Sequence, residues 1–534
     1  MSVAWPVLYI ALMAFLPLVY STMRSARGGK LRDRVFLKTV VKDYLRTVPA
    51  VALVSIPLGA FPQFARGYLV ALHSVFMWLV VMEIGHIYLF GARMGLNTFY
   101  SLFVTNARET VEYIRNNQTK AQWALILSIY ILPFTALFRI QPVSFEPPWA
   151  RGAFLAACAL LALPFLRNLM KRVEKQKAGY VLNPFVSVFY HYFLYRRRYG
   201  ALKRQIAEHA APKFEGFSSE VPKGVRETYV VCIGESSNAM HHSYAGYPRH
   251  TNEFTDALGD VLDIAGVEAQ YAQTLPSLEK TITFATDAEP EKLFERGSIV
   301  DYFKDAGFKV FWLSNQYALE DTAITAMAGH ADTVKCLNFS AMKGFETAGY
   351  DGTLLPEFAR ILEDPAPKKA VFLHMIGSHS AYVNRYPAEF RFFQGVPPGK
   401  DGLSAAAMDL VNSYDDSIRY TDWVIAELVG KLRERGGEDA EFLLYFSDHG
   451  EDCYDTTSVK MLGHSQLANA PMRAVPLQIW LSPALKALRP GLVSRTASPK
   501  KDYRLEDLIH TVIDLSGLSN PDFDPSKSVY GGKT

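Results

Sequence analysis

Hydrophobic positions along the chain follow two regimes, which change near residue 205. Up to about residue 170 they form long uncharged runs. Residues 1–23 and 47–65 carry no charge, residues 67–92 carry only Glu83, and residues 121–138 and 152–166 carry none. A bilayer core takes about 20 apolar residues of helix, so the pattern predicts a transmembrane domain of five helices over residues 1–170. The fifth run is short unless it begins near Pro147-Pro148-Trp149. Five such runs leave too little amphipathic surface for the buried helices of a soluble core. The first run has no basic leader and no small-residue cleavage site, and reads as an anchor rather than a removed signal. Residues 171–204 hold an aromatic-rich stretch from Tyr180 to Tyr195 followed by Arg196-Arg197-Arg198. That combination predicts a helix lying in the headgroup zone and bridging to a soluble domain of residues 205–534.

In the second regime the apolar runs are short. Tyr229–Ile233, Val310–Leu313, Ala370–Ile376, Phe442–Phe446 and Val475–Leu481 read as strands apolar throughout, with helical periodicity in 291–306, 353–363, 407–433 and 503–516. Strands without alternation, separated by helices, predict a doubly wound α/β domain with a mainly parallel sheet buried on both faces. Four of these strands end in polar residues: Gly234-Glu235-Ser236, Ser314-Asn315-Gln316, Gly377-Ser378-His379 and Ser447-Asp448-His449-Gly450. Ligands of open α/β sheets bind beyond the carboxyl ends of the strands. The four endings therefore belong to one site.

Composition adds two exclusions. The formal charge of +3 argues against nucleic acid as a partner, because the basic residues cluster beside the membrane runs. The four cysteines match no zinc ribbon, redox pair or disulfide framework. Charge also bears on orientation. The loop between the first two runs holds eight Lys/Arg, and the other loops on its side are basic as well. Counting Lys and Arg alone places the soluble domain in the cytoplasm.

The chemistry sits at the strand ends. Asp448 and His449, adjacent where a strand turns, suit one metal ion, with Glu235 as a third ligand; zinc takes about four such groups and leaves a position open in catalytic sites. Thr274 precedes a helical stretch. It reads either as a helix N-cap or as a nucleophile that a metal and a helix N-terminus would activate. His379 and His464 suit a second metal, proton donation to a leaving group, or phosphate oxygens. His374, inside a strand, reads as supporting structure, and His241-His242 have no assigned role.

Gly234-Glu235-Ser236-Ser237-Asn238-Ala239 followed by Gly246-Tyr247-Pro248-Arg249-His250-Thr251-Asn252 resembles paired motifs of the bacterial phosphoethanolamine transferases, members of the alkaline-phosphatase/sulfatase superfamily. Thr274-x-x-Ser277, His374 through His379 with Asn384-Arg385-Tyr386, Ser447–Glu451 and His464 follow in family order, so the resemblance covers nearly the whole chain. It implies a catalytic Zn²⁺ on Glu235, Thr274, Asp448 and His449, with His379 and His464 either assisting catalysis or binding a second zinc. It implies a Thr274 that carries phosphoethanolamine, taken from phosphatidylethanolamine and passed to a cell-envelope glycolipid or glycan. Acceptors in the family are lipopolysaccharide core, lipid A or periplasmic glucan. Thr105-Asn106-Ala107-Arg108-Glu109 resembles the segment that holds the ethanolamine group, through Asn106 and Glu109. Asn238 stands where the family usually has Arg. The cysteines flanking the nucleophile in lipid A-modifying members are absent, so the pattern is nearer to the core- and glucan-modifying branches.

Three other readings compete. A sulfatase needs a Cys/Ser-x-Pro-x-Arg motif, and Thr274-x-Pro276-x-Leu278 lacks both ends of it. A glycerophosphate transferase of the lipoteichoic-acid-synthase type shares the metal and threonine set, but the Gly-Tyr-Pro-Arg motif and Glu109 favour ethanolamine. An inactive membrane scaffold would have no reason to keep every ligand. The acceptor is completed on the outer face of the inner membrane, and five spans put the soluble domain opposite the N-terminus. The expectation is therefore a multi-pass inner-membrane protein with its catalytic domain in the periplasm, against the charge count.

Overall fold

The computed structural model describes residues 3–27, 34–90, 94, 120–137, 142–174, 186, 189–194, 196–197, 213–316, 323–337, 349–456 and 468–531. Asn106, Glu109, His464 and much of 171–204 lie outside the described residues. The chain divides into two compact units, Met1–Thr105 with Ile114–Arg198, and Asn106–Tyr113 with Tyr199–Thr534.

The first unit contains helices α1 (Ala4–Arg27), α2 (Arg34–Ala60), α3 (Ala65–Phe90), α4 (Lys120–Leu137) and α5 (Trp149–Glu174), matching the five apolar runs. Among the described residues, three stretches are long and apolar enough to cross a membrane: Ala4–Met23, Pro62–Ile87 and Trp149–Lys171. The α2 helix falls short because it starts thirteen residues before the uncharged run and takes in Arg34, Lys38, Lys42, Asp43 and Arg46. Helix α2 packs on α1 and α5, and α3 on α1 and α4, around buried Ile10, Leu58, Leu69 and Val80. Leu132 and Leu160 stay exposed, at 69% and 76%, as expected of faces that meet lipid. Polar pins hold this apolar bundle. The Tyr9 hydroxyl lies 2.5 Å from His73 Nδ1, and His73 Nε2 lies 3.0 Å from the Tyr130 carbonyl. Arg151 donates to the carbonyls of Gly59 and Ala60, both at 2.8 Å, and so satisfies the C-terminus of α2. Glu83 is buried within α3, with His86 buried one turn on.

The second unit is built on a seven-stranded sheet. Its strands are β1 (Glu227–Gly234), β2 (Val261–Ile264), β3 (Lys309–Ser314), β4 (Thr333–Cys336), β5 (Lys368–His374), β6 (Ala440–Ser447) and β7 (Leu477–Leu481), in the order β2-β7-β6-β1-β5-β3-β4. The five strands from β6 to β4 run parallel; β7 and β2 are antiparallel additions. β1 lies at the centre and every one of its residues is buried. Alternate residues serve opposite faces. Val230, Cys232, Leu443 and Tyr445 pack with Phe358 of α8 (Leu354–Leu362) and Val424 and Leu428 of α9 (Ala405–Arg433). On the other face Tyr229 stacks on Phe442 at 4.7 Å and meets Phe303 of α7 (Ile299–Asp305) and Phe308. Helix α6 (Thr274–Thr281) opens beside the sheet's carboxyl edge, and α10 (Leu508–Ser516) packs near β6.

Three boundaries differ from the periodicity. The 291–306 pattern splits into Lys292–Glu295 and α7, because the chain breaks at Gly297 and restarts at Ser298, which forms a capping box with Asp301. A Cβ at Gly297 would lie 2.8 Å from both Asp301 and Phe214, so the break admits no side chain. At 503–516, Tyr503-Arg504 pair as a short strand with Val267-Glu268, and the helix begins only at Leu508. The fifth apolar strand starts after Pro476, which has no N–H to give a ladder. It runs antiparallel to β6, with Leu477 opposite Phe446. Its carboxyl end therefore lies at the far edge of the sheet, which explains why it carries no polar ending.

Leu443 of β6 is 1% exposed and Val334 of edge strand β4 is 45% exposed. Leu443→Ala is expected to cost about 2–5 kcal/mol, and Val334→Ala within about 0.5 kcal/mol. Denaturant midpoints of the soluble unit's unfolding in the full-length protein check the contrast.

Candidate metal centre

Parallel pairing sets the centre. Gly234 of β1 lies opposite Ser447 of β6, so the next residues, Glu235 and Asp448, emerge side by side at the carboxyl edge. Gly234 cannot carry a side chain there, since a Cβ would lie 2.7 Å from the Tyr445 ring. The chain then turns through Ser236 in the left-handed region at φ 58°, a conformation costly for a non-glycine residue. The turn is held where it matters. Ser236 N–H donates to Asp448 Oδ1 at 3.1 Å, Ser237 N–H to Ser447 Oγ at 2.9 Å, and His449 N–H to Asp448 Oδ1 at 2.8 Å.

Two backbone donors thus occupy Asp448 Oδ1, whereas Oδ2 is buried with no hydrogen-bond partner. His449 Nδ1 lies 3.0 Å from the Gly450 carbonyl, which can only accept, so Nδ1 carries the hydrogen. Nε2 is left facing Glu235 Oε1 at 3.3 Å and Asp448 Oδ2 at 3.5 Å. One ligand atom each from Glu235, Asp448 and His449 lie within 4.8 Å of one another, all three residues buried. An orphaned carboxylate oxygen, a second carboxylate and an imidazole of fixed tautomer fit a metal ion.

Thr274 is the first residue of α6. The N-cap place belongs to Gln273, whose backbone is extended. The N-cap reading of Thr274 does not hold, because its hydroxyl is directed to Glu235, 3.1 Å from Oε1 and 3.2 Å from Oε2. One turn later Ser277 donates to the Asp448 carbonyl at 2.6 Å, fastening the helix to the β6 loop. The Thr-x-x-Ser spacing thus puts both hydroxyls on the face of α6 that meets the site.

The three buried groups titrate together. Burial opposes the charge of Glu235, but the hydrogen bond and charge of His449, joined by the charge of His379, hold its carboxyl down at about 2. Asp448 is pushed up to about 7, first by burial and then by the charge of Glu235. Burial would lower His449, yet Asp448 and Glu235 raise it to about 9. Without a metal ion, protons on His449 and in part on Asp448 balance the carboxylates. A divalent cation would replace them.

Other strand ends supply the surroundings. His379 is half-buried in the turn after β5, within electrostatic reach of Glu235. His374 closes β5 edge-on to Trp312, and burial drives its pKa down to about 4 against the pull of Glu235. Gln316, singled out in sequence only as part of a polar ending, donates to Glu235 Oε2 at 3.3 Å and to the Met375 carbonyl at 2.8 Å. His241 spans two carboxylates, Asp415 at 2.6 Å and Asp455 at 3.0 Å. Tyr247 and Arg249 of the Gly-Tyr-Pro-Arg motif converge on the same Asp415 at 2.8 and 2.5 Å. His242 is held by Ser237 and Asn252. Asn238 caps the turn over 239–241 through Met240 N–H at 2.9 Å and donates to the Glu451 carbonyl at 3.0 Å. The four cysteines are free.

Comparison with known proteins places this geometry. The Sulfatase family model matches residues 227–518, more than half of the chain. Phosphoethanolamine transferase EptC of Escherichia coli is 30% identical over 507 residues, 89% of this chain and 84% of that one. The chain belongs to the phosphoethanolamine transferase family. CptA of Salmonella typhimurium, another phosphoethanolamine transferase, is 28% identical over 99% of this chain and 91% of its own. A crystal structure of the C-terminal periplasmic domain of EptC in complex with zinc superposes with a TM-score of 0.56 at 32% identity, covering 61% of this chain and 92% of that domain. The integral membrane lipooligosaccharide phosphoethanolamine transferase A of Neisseria meningitidis superposes with a TM-score of 0.66 over 97% of this chain and 98% of its own. At 19% identity it shows that the fold is shared across both units. That integral membrane protein and this chain thus share a helical N-terminal unit followed by a sulfatase-like domain.

The raised groups fix how metal binding depends on pH. Entry of the metal must displace the proton of His449 below about pH 9, and the proton of Asp448 as well below about pH 7. Affinity for zinc is expected to rise about tenfold per pH unit between 7 and 9 and more steeply below 7. Competition titrations with a chelator of known affinity, run on the full-length protein, check the slopes.

Proposed function

We propose that this protein transfers phosphoethanolamine from phosphatidylethanolamine to a cell-envelope glycolipid or glycan at the Glu235–Thr274–Asp448–His449 centre. The observation that carries the reading is the hydroxyl of Thr274, 3.1 Å from a carboxylate of a three-residue ligand set, at the start of a helix. A hydroxyl turned to the ligand set rather than to the helix backbone supports the role of nucleophile. Family membership supplies the class of group transferred, and the zinc complex of the EptC domain supports zinc as the ion.

Glu235, Asp448 and His449, with the Thr274 oxygen, would hold the zinc. Bound there, a zinc ion lowers the pKa of a hydroxyl and neutralises phosphate oxygens. In the first step the Thr274 oxygen attacks the donor phosphorus. The bond from phosphorus to the diacylglycerol oxygen breaks, that oxygen takes up a proton, and Thr274 is left carrying phosphoethanolamine. In the second step an acceptor hydroxyl or phosphate oxygen attacks the same phosphorus and frees Thr274. His379, and His464 from the segment after Asp455, would supply and accept the protons or hold phosphate oxygens; a second zinc held by this pair belongs to the same proposal. Asn106 and Glu109 would bind the ethanolamine ammonium. The N-terminal helices anchor the enzyme in the inner membrane. The catalytic domain would lie in the periplasm, where the corresponding domain of EptC lies.

Mass spectrometry of protein isolated from membranes is expected to find phosphoethanolamine on the Thr274 peptide. Thr274→Ala should abolish both the adduct and turnover, a loss of at least about a thousandfold. Asp448→Asn should lower zinc content and turnover together with the sheet still folded. A fully active Thr274→Ala protein is the outcome that contradicts the two-step route.

A further inference from the structure

The turn that carries His379 rests on two opposite charges buried beneath it. Arg385 is 1% exposed, yet it donates from Nε to the His379 carbonyl at 3.0 Å and from Nη2 to the Ser380 carbonyl at 2.6 Å. Asp351, also 1% exposed and within electrostatic reach of Arg385, accepts the N–H of Ile376 on Oδ1 at 2.9 Å and that of Gly377 on Oδ2 at 2.8 Å. Asn315, from the end of β3, donates to Asp351 Oδ1 at 2.8 Å. Residues 376–380 are therefore held from below by a carboxylate at one end and a guanidinium at the other.

From above, the same turn is fitted to a metal-site residue. Ser378 N–H donates to the Glu235 carbonyl at 2.9 Å, and a Cβ on Gly377 would lie 2.8 Å from the Glu235 backbone. Gly377 and Ala381 both lie in the left-handed region, at φ 50° and 66°, so the turn does not keep this shape unaided. Burying two charges is costly in desolvation, and neutral side chains would suffice merely to cap carbonyls. What a planar guanidinium adds is a fixed direction, because its two donors reach two successive carbonyls in one geometry.

We propose that Arg385, working with Asp351, is a positioning residue that holds the His379 side chain in register with Glu235 and so with the reacting phosphate. Arg385 itself touches no substrate; it acts through the 376–380 turn.

Two measurements on the full-length protein in lipid nanodiscs test this, and only the kinetic one rests on the transferase reading above. In hydrogen-exchange mass spectrometry, Arg385→Met should speed exchange in the peptide covering 375–381, with the β1 and β6 peptides unchanged. Unchanged exchange in 375–381 overturns the proposal whether or not the protein is a transferase. If Arg385→Met loosens the whole domain, Arg385→Lys takes its place, since a buried ammonium keeps the charge and reaches one carbonyl but not both. In the kinetic arm, Arg385→Met should lower kcat by about 10–100-fold, with the zinc of the Glu235–Asp448–His449 centre retained, donor KM kept within about twofold and partial recovery in Arg385→Lys. In the His379→Ala background the same substitution should cost little more, because its effect passes through the missing side chain. Multiplying losses in the double variant overturn the proposal.

Discussion

Everything in the soluble unit follows from placing two carboxylates side by side in a dry site. Glu235 and Asp448 leave adjacent parallel strands at matched register, and both are buried along with His449. Burial raises the proton affinity of Asp448, and the like charge of Glu235 beside it adds to the effect. Such a site is costly unless a cation completes it. The surrounding bonds leave specific atoms for that purpose: two N–H groups hold Asp448 Oδ1, while Oδ2 and His449 Nε2 are left facing inward.

The sheet makes the juxtaposition stable without help from the site. β1 and β6 are central and buried on both faces, so the ends of these strands are fixed by apolar packing. Helix α6 is then located against the β6 loop by Ser277, which brings Thr274 to Glu235. Gln316 from β3 and the 376–380 turn from β5 close the other side. Four strands each contribute one polar ending, and this gathers the candidate site at the carboxyl edge of the sheet.

Much of this was legible in the residues. Uncharged runs foretold the apolar N-terminal helices, three of which, among the described residues, are long and apolar enough to cross a membrane. Strands apolar throughout foretold a mainly parallel sheet, because both patterns state directly which surfaces avoid water. The clustering of Glu235, Asp448 and His449 was legible for the same reason: acidic and imidazole groups directly after apolar strands have one common place to go. Other features were hidden by their locality in space. Gln316 looks like any polar loop residue until β3 is seen two strands from β1, and His241 gives no sign of lying between Asp415 and Asp455, more than 170 residues away. Periodicity also overran where one small residue broke it, as at Gly297, and where two residues joined a short strand, as at Tyr503-Arg504. The N-cap reading of Thr274 failed because the cap place falls one residue earlier, on Gln273, and the Thr274 hydroxyl turns to Glu235.

The central claim is that one cation sits among Glu235, Asp448, His449 and the Thr274 oxygen. Anomalous diffraction at the zinc edge, on crystals of the full-length protein with one equivalent of zinc, tests it most directly. The account predicts a dominant peak about 2.0–2.2 Å from a ligand atom of each of these four residues. A dominant peak elsewhere, with this centre empty at full zinc loading, would contradict it.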